Sequence, residues 1–429
     1  MARHTSKSLR NQVMYQVFVR NYSEEGTFEG VRRDLDRIQD LGVDIIYLMP
    51  IHPIGEVARK GAQGSPYAIR DYRAINPEFG TLEDFQRLVD DIHARGMKVI
   101  MDVVYNHTSP DSVLAKEHPE WFYHKPDGSF GNRCGEWADI IDLDFDQKDL
   151  WDYLAQTMAM WAKYVDGFRC DVAPLLPIEF WEHAMDTVAE VNGDCLWLSE
   201  SVEWNFLVSN RAKGLVNLSD CEIFGAFDVA YEYDVYWLLK GYLAGQNSLE
   251  KYAEFVTLQE ALYPDNYVKL RFLENHDNTR AHYLVPDETM LRNWTAFLYF
   301  QKGMTFVYAG QEVGCSHLPS LIDRDPGCWD VEVELRGDMK RLYQLKKNPL
   351  LTDSSYDVQA QQHDILVANH RKGDRALTGV FSVRGEKALV VIDAPDGVYE
   401  NLYDGSRVEV LRNRVPCVGK PIIIEWQAE

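Results

Sequence analysis

Residues 98–108 read KVIMDVVYNHT. The first part, 98–104, is short, continuous, apolar and rich in β-branched residues. That is the pattern of a strand buried on both faces, as in a parallel sheet covered by helices. Asp102, Asn106 and His107 crowd its C-terminal end. A charge placed there is costly unless it is paired or used. Just upstream, 81–95 has helical spacing, with Thr81 as N-cap and Asp84 where the acid of a capping box belongs.

The same unit recurs along the chain. Strand-like runs occupy 13–20 (VMYQVFVR), 45–50 (IIYLMP), 165–171, 195–200, 223–228, 268–274 and 305–312. Helical patterns fall at 29–41, 147–164, 178–191 and 333–347. Eight strand candidates with helical crossovers predict an α/β fold, a (β/α)8 TIM barrel over 1–350. An open doubly wound sheet is the rival, because a strand count does not prove closure. Between 105 and 146 the rhythm breaks into His, Pro, Gly and Asp clusters. This predicts a short excursion after strand three, a small inserted lobe. Beyond 353 come alternating runs, HDILVANH (363–370), ALTGVFSV (376–383) and KALVVIDA (387–394), divided by turn residues. They predict a C-terminal antiparallel β domain, a sandwich over 351–429.

Composition narrows the function classes. Of 429 residues, 46% are hydrophobic and 12% aromatic, which indicates a folded globular chain. Lys plus Arg number 44 against 67 Asp plus Glu, a net charge of -23. That argues against a nucleic-acid binder, which needs a positive surface. No apolar run reaches membrane-spanning length. The opening residues MARHTSKSLRNQ lack an apolar signal-peptide core. The seven cysteines, Cys134, Cys170, Cys195, Cys221, Cys315, Cys328 and Cys417, are odd in number and scattered, so they are expected free in a reducing compartment. A cytoplasmic location is the expectation. The oligomeric state is not legible.

Polar groups collect at strand ends. Asp102 and His107 lie near the end of strand three, Arg169 and Asp171 at that of strand four, and Glu200 at that of strand five. His276 and Asp277 follow strand seven. A parallel barrel brings these ends to one face, where active sites are built. Paired carboxylates suit glycosidic cleavage, one ionised and the other holding a proton for the leaving oxygen. Arg169 is two residues before Asp171, so the two side chains share a face. Its guanidinium is expected to keep Asp171 ionised.

Four motifs, DVVYNHT (102–108), GFRCD (167–171), SE (199–200) and FLENHD (272–277), resemble, in order, the signature regions of the α-amylase family of glycoside hydrolases. LMPIHP (48–53), IDLD (141–144) and GMTFVYAGQE (303–312) add to the likeness. The resemblance implies retaining hydrolysis of α-1,4-glucosidic bonds in starch-derived oligosaccharides through a glycosyl-enzyme. Asp171 would be the nucleophile, Glu200 the general acid/base and Asp277 the third carboxylate. It further implies that Arg169 holds the nucleophile, that His107 and His276 bond the sugar, and that Asp102 supports them. Tyr67, in GSPYAIRDY (64–72), would stack on the same sugar. Trp204, Trp137, Tyr105, Phe227 and Trp329 are candidate sugar platforms, and Arg280 a candidate anchor of the strand-seven loop.

The run DVAPLLP (171–177) departs from the family, with Pro174 and Leu175 where many members have Lys-His. The family calcium site would use Asn106, with Asp139 as a further oxygen donor; no cofactor is needed for the chemistry itself. Val172, after the nucleophile, is found in members that accept α-1,6 links. An oligo-1,6-glucosidase or neopullulanase-like hydrolase, or an α-glucan transglycosidase, is the alternative. A non-catalytic carbohydrate-binding protein is the remaining one.

Overall fold

The computed structural model describes residues 4–133, 137–327 and 329–428. Eight parallel strands close into a barrel: β1 (Val13–Val17), β2 (Ile45–Leu48), β3 (Lys98–Val103), β4 (Gly167–Cys170), β5 (Leu196–Ser199), β6 (Val229–Tyr231), β7 (Lys269–Arg271) and β8 (Met304–Tyr308). Each pairs with its neighbours in chain order, and β1 pairs with β8. Closure rules out the open doubly wound sheet. The strands are buried throughout apart from Lys98, which explains why they read as unbroken apolar runs.

The helix Leu82–Ala94 starts on the predicted capping box, with Thr81 and Asp84 each bonding the other's backbone. Three elements differ from expectation, the first being the strand run 13–20, which ends at Val17 before the short helix Val19–Tyr22. The helical pattern over 29–41 is split into Phe28–Arg32 and Leu35–Leu41. The strand expected at 223–228 lies further on, at β6. Ser219 and Glu222 form a capping box that makes Asp220–Ile223 a short helix instead. Local capping there overrides the apolar texture.

The lobe after β3 is small. A two-residue ribbon, His107–Thr108 against Ile141–Asp142, ties its ends together, with the helix Val113–Glu117 between them. After the helix Arg336–Lys346, a four-stranded antiparallel sheet begins: β9 (Ser355–Gln361), β10 (Ile365–Lys372), β11 (Arg375–Ser382) and, after two hairpin-like pairs, Ile422–Gln427. One face has its own apolar cluster, including Val367, Val390 and Ile424. The other docks on the barrel. His370 lies 3.0 Å from the Phe300 carbonyl, and the Thr257 hydroxyl bonds the backbone of Val358.

Cys170, Cys195, Cys221 and Cys417 are free, as expected. Cys315 is not: it is disulfide-bonded. Cys134 and Cys328 lie outside the described residues. Among the described residues, no helix is long and apolar enough to cross a membrane.

Candidate active site

The barrel register sets the first contact. Asp102 on β3 is the direct partner of Arg169 on β4. Their side chains therefore meet inside the barrel mouth, both almost fully buried. Arg169 Nη1 bonds both oxygens of Asp102, at 3.0 and 3.2 Å, and Oδ1 of Asp171 at 2.7 Å. Its Nη2 lies 2.9 Å from Glu200 Oε1. One guanidinium thus holds three carboxyl groups from β3 and the ends of β4 and β5. The ladder continues one step to place them: Asp171 N–H donates to Val103 O at 2.9 Å and Glu200 N–H to Cys170 O at 3.0 Å.

Asp277 joins from the loop after β7. Its N–H donates to Asn275 Oδ1 at 2.9 Å, and Asn275 and Asn278 both bond the Tyr233 hydroxyl. Arg280, buried with Glu274 at 2.5 Å, fixes the far end of this loop, as expected. The Asp277 carboxyl faces the cleft, with His276 Nε2 3.0 Å from its Oδ2. Tyr67 stacks on His276 at 5.4 Å between ring centres. Its hydroxyl lies 2.6 Å from His276 Nε2 and 3.1 Å from Asp102 Oδ2. His107 closes the ring beside Trp137. The eight residues given catalytic or sugar-binding roles in the sequence are therefore brought together. Six of them (Tyr67, His107, Asp171, Glu200, His276 and Asp277) line a cavity of about 360 Å³, and Asp102 and Arg169 lie behind them.

The electrostatics differ from the simple expectation for Arg169. Burial pushes Asp171 up to about 7, against the pull of Arg169 and helped by Asp102 and Asp277. Burial likewise pushes Glu200 up to about 7, against Arg169 and with Asp171 adding to the rise. The guanidinium is shared among Asp102, Asp171 and Glu200, so it does not hold Asp171 alone in the ionised form. Burial and mutual repulsion both favour a proton on the pair, and like charges this close titrate as a unit. For Asp277, burial is outweighed by His276, which holds the carboxyl below its ordinary range. Burial lowers His107 to about 4, leaving a neutral ring.

Several contributors were not read from sequence. The Tyr47 hydroxyl donates to Asp102 Oδ2 at 2.5 Å, and Gln16 Nε2 lies 2.8 Å from His276 Nδ1. The available signal was a polar atom inside an apolar strand run, VMYQV and IIYL. The backbone N–H of Val172 donates to Glu200 Oε2 at 2.7 Å; no side-chain motif encodes that. Of the candidate platforms, Trp137 reaches the cleft, Tyr105 and Phe227 are buried packing residues, and Trp329 packs on Tyr22 under Arg37. Trp204 is exposed beside Trp237. For the calcium site, Asp139 pairs with Lys60 at 2.6 Å and the Asn106 amide lies 3.1 Å from His107 Nδ1. Among the described residues, no three His, Cys, Asp or Glu side chains gather as a metal site.

The backbone superimposes on an α-amylase from Lactobacillus plantarum with a TM-score of 0.96 and 45% identity, over 98% of this chain and 100% of that one. The chain belongs to the α-amylase family of glycoside hydrolases. A maltogenic α-amylase, AmyB, from Thermotoga neapolitana matches the same 98% of this α-amylase-family chain and 100% of its own, at 30% identity and a TM-score of 0.87. The model of the α-amylase catalytic domain matches residues 12–194, and that of the bacterial α-amylase C-terminal domain residues 357–424. An α-1,4-glucan:maltose-1-phosphate maltosyltransferase from Myxococcus xanthus is 36% identical over 217 residues, 45% of this chain. The chain spans about a third, 32%, of the length of that curated relative.

Proposed function

We propose that this chain is a retaining enzyme acting on α-linked glucans, with α-1,4-linked maltooligosaccharides as substrate. The observation that supports this most is the sharing of Arg169 by Asp171 and Glu200. Two carboxyl groups on one planar guanidinium are close, and retaining pairs sit about 5 to 5.5 Å apart, leaving no room for an intervening water. Asp171 attacks the anomeric carbon and the bond to the leaving oxygen breaks as Glu200 delivers its proton there. Glu200 then takes a proton from the acceptor that displaces Asp171. Asp277 and the neutral His107 hold sugar hydroxyls, and Tyr67 lays its face against the ring bearing developing positive charge. These steps use this chain's own side chains and need no cofactor. Replacing Asp171 by Asn or Glu200 by Gln tests the assignment: cleavage of maltotriose should fall by about 10²–10⁴-fold or more. Undiminished cleavage would refute it.

Glycosyl transfer is the second reading, supported by the maltosyltransferases among the relatives. The two differ only in whether water or a sugar resolves the intermediate. Longer oligosaccharides appearing early from maltotriose favour transfer; glucose and maltose alone favour hydrolysis. Val172 favours adding isomaltose and pullulan to the panel, for α-1,6 links. The same reading assigns 1–350 to the catalytic unit and 351–429 to the accessory β domain.

A further inference from the structure

One side of the cleft's rim is tied together by hydrogen bonds. Around the barrel, β8, β1, β2 and β3 are consecutive. The loops after β8 and β2 and the lobe after β3 therefore share one side, and hydrogen bonds join all three. Gln63 and Gly64 both donate their N–H to Ile322 O, at 3.1 Å each. Ala62 N–H donates to Asp323 Oδ1 at 2.7 Å, and Arg324 N–H to Gln63 Oε1 at 2.9 Å. Beneath this clasp the buried Arg20 donates Nη1 to Gly64 O at 2.9 Å and to Leu321 O at 3.1 Å. Towards the lobe, Lys60 pairs with Asp139. Gly61 sets how closely the loops approach. Its φ is +64°, and a Cβ there would stand 2.5 Å from Ile322 O.

Lys60, Ser65, Leu321 and Ile322 line the cavity that holds Asp171 and Glu200. The clasp is therefore a wall of the cleft itself. On the opposite side, Asp171 is followed by the single turn Ala173–Leu175, and Glu200 by three residues before the helix Trp204–Ala212, whose first residue is exposed. Direction follows from the chemistry. Glu200 protonates the departing fragment, so its side is that of the reducing end. Tyr67 lies against His276, the side of the retained sugar in the proposed reading, and its own N–H donates at 3.2 Å to Ser65 Oγ, which also lines the cavity. The wall thus stands beyond the retained sugar. The cavity, about 360 Å³, is near the lower end of small-ligand pockets.

We infer that this clasp closes the cleft at the non-reducing end, so that the enzyme works from chain ends and releases short units instead of cutting within long chains. This rests on the α-glucan reading above. The test compares maltoheptaose p-nitrophenyl glycoside with its non-reducing end free or capped by a 4,6-ethylidene group, with products separated by chromatography. Wild-type enzyme should cleave the capped substrate at least about tenfold more slowly, with one short product dominating from the first minutes. Gly61→Val pushes a side chain onto Ile322 O and should narrow that ratio, as should Gln63→Ala, which removes one bond without strain. Equal wild-type rates on both substrates would overturn the clasp's role and leave the α-glucan reading standing. No cleavage of either would overturn the reading itself. A ratio unchanged in a folded Gln63→Ala, Gly61→Val double variant would show that the wall lies elsewhere.

Discussion

Val172 donates its backbone N–H to Glu200 Oε2 at 2.7 Å from a left-handed conformation, φ 37° and ψ 40°. A β-branched side chain is rarely found there, because its Cβ crowds the following carbonyl. The residue directly after the nucleophile thus carries strain while fixing one oxygen of the acid/base. Strain of this kind collects where surrounding structure imposes it for function.

Val172→Gly removes the crowding and keeps the N–H. The left-handed cost of about 1–2 kcal/mol is relieved, offset in part by the greater freedom of glycine when unfolded. A net gain of about 1 kcal/mol in a urea titration is expected, with a lower kcat from a looser Glu200. A loss of stability would mean that the valine side chain earns more by packing than its backbone costs.

Glu200→Gln should separate activity from stability. Burial raises the Glu200 carboxyl from 4.5 to about 7. For an acid raised on folding, the contribution to stability is whole below the unfolded value and declines as pH rises through the folded one. The amide escapes that decline. At pH 8 the variant should be about 3 kcal/mol more stable than wild type, and near pH 4 about equal. A variant less stable at pH 8 would mean that Arg169 depends on the charge of Glu200.

Asp171 and Glu200 are both pushed to about 7 yet must carry one proton between them. Their coupling spreads the two steps apart. The pH profile of kcat/KM should be bell-shaped with its top near neutral pH, falling below as Asp171 is protonated and above as Glu200 loses its proton. The upper limb should vanish with a substrate whose leaving group, such as fluoride, needs no proton. An unchanged upper limb would assign it to another group.

Tyr67→Phe removes the hydroxyl between Asp102 and His276 and keeps the stacked ring. A hydrogen bond to a charged partner contributes about 1.5–3 kcal/mol, so kcat/KM should drop by about tenfold or more. Tyr67→Ala, which also loses the ring, should fall further. Equal losses in the two would mean that the ring contributes nothing.

The barrel was legible because its strands are buried on both faces, and unbroken apolar runs such as KVIMDVV follow from that. The site was legible because strand ends converge, so Asp102, Arg169, Asp171 and Glu200 could be placed together before any distance was known. Position 223–228 misled because Ser219 and Glu222 cap a helix turn just before a three-residue strand, too short to leave its own pattern. Backbone contributions were invisible for a different reason. The Val172 N–H and the bonds between Gln63, Gly64 and Ile322 depend on local conformation, which side-chain identity records only at glycines such as Gly61. One proton on the pair was expected, but the upward push on Asp171 was missed, since Arg169 was paired with Asp171 alone when it serves three acids.

The central claim is double displacement through Asp171. Proton NMR of the first turnovers on maltotriose, recorded before mutarotation, reads the configuration of the newly formed reducing end. Retention predicts the α-anomer first, with the β-anomer growing in only as the sugar equilibrates. A product born as the β-anomer would contradict the account.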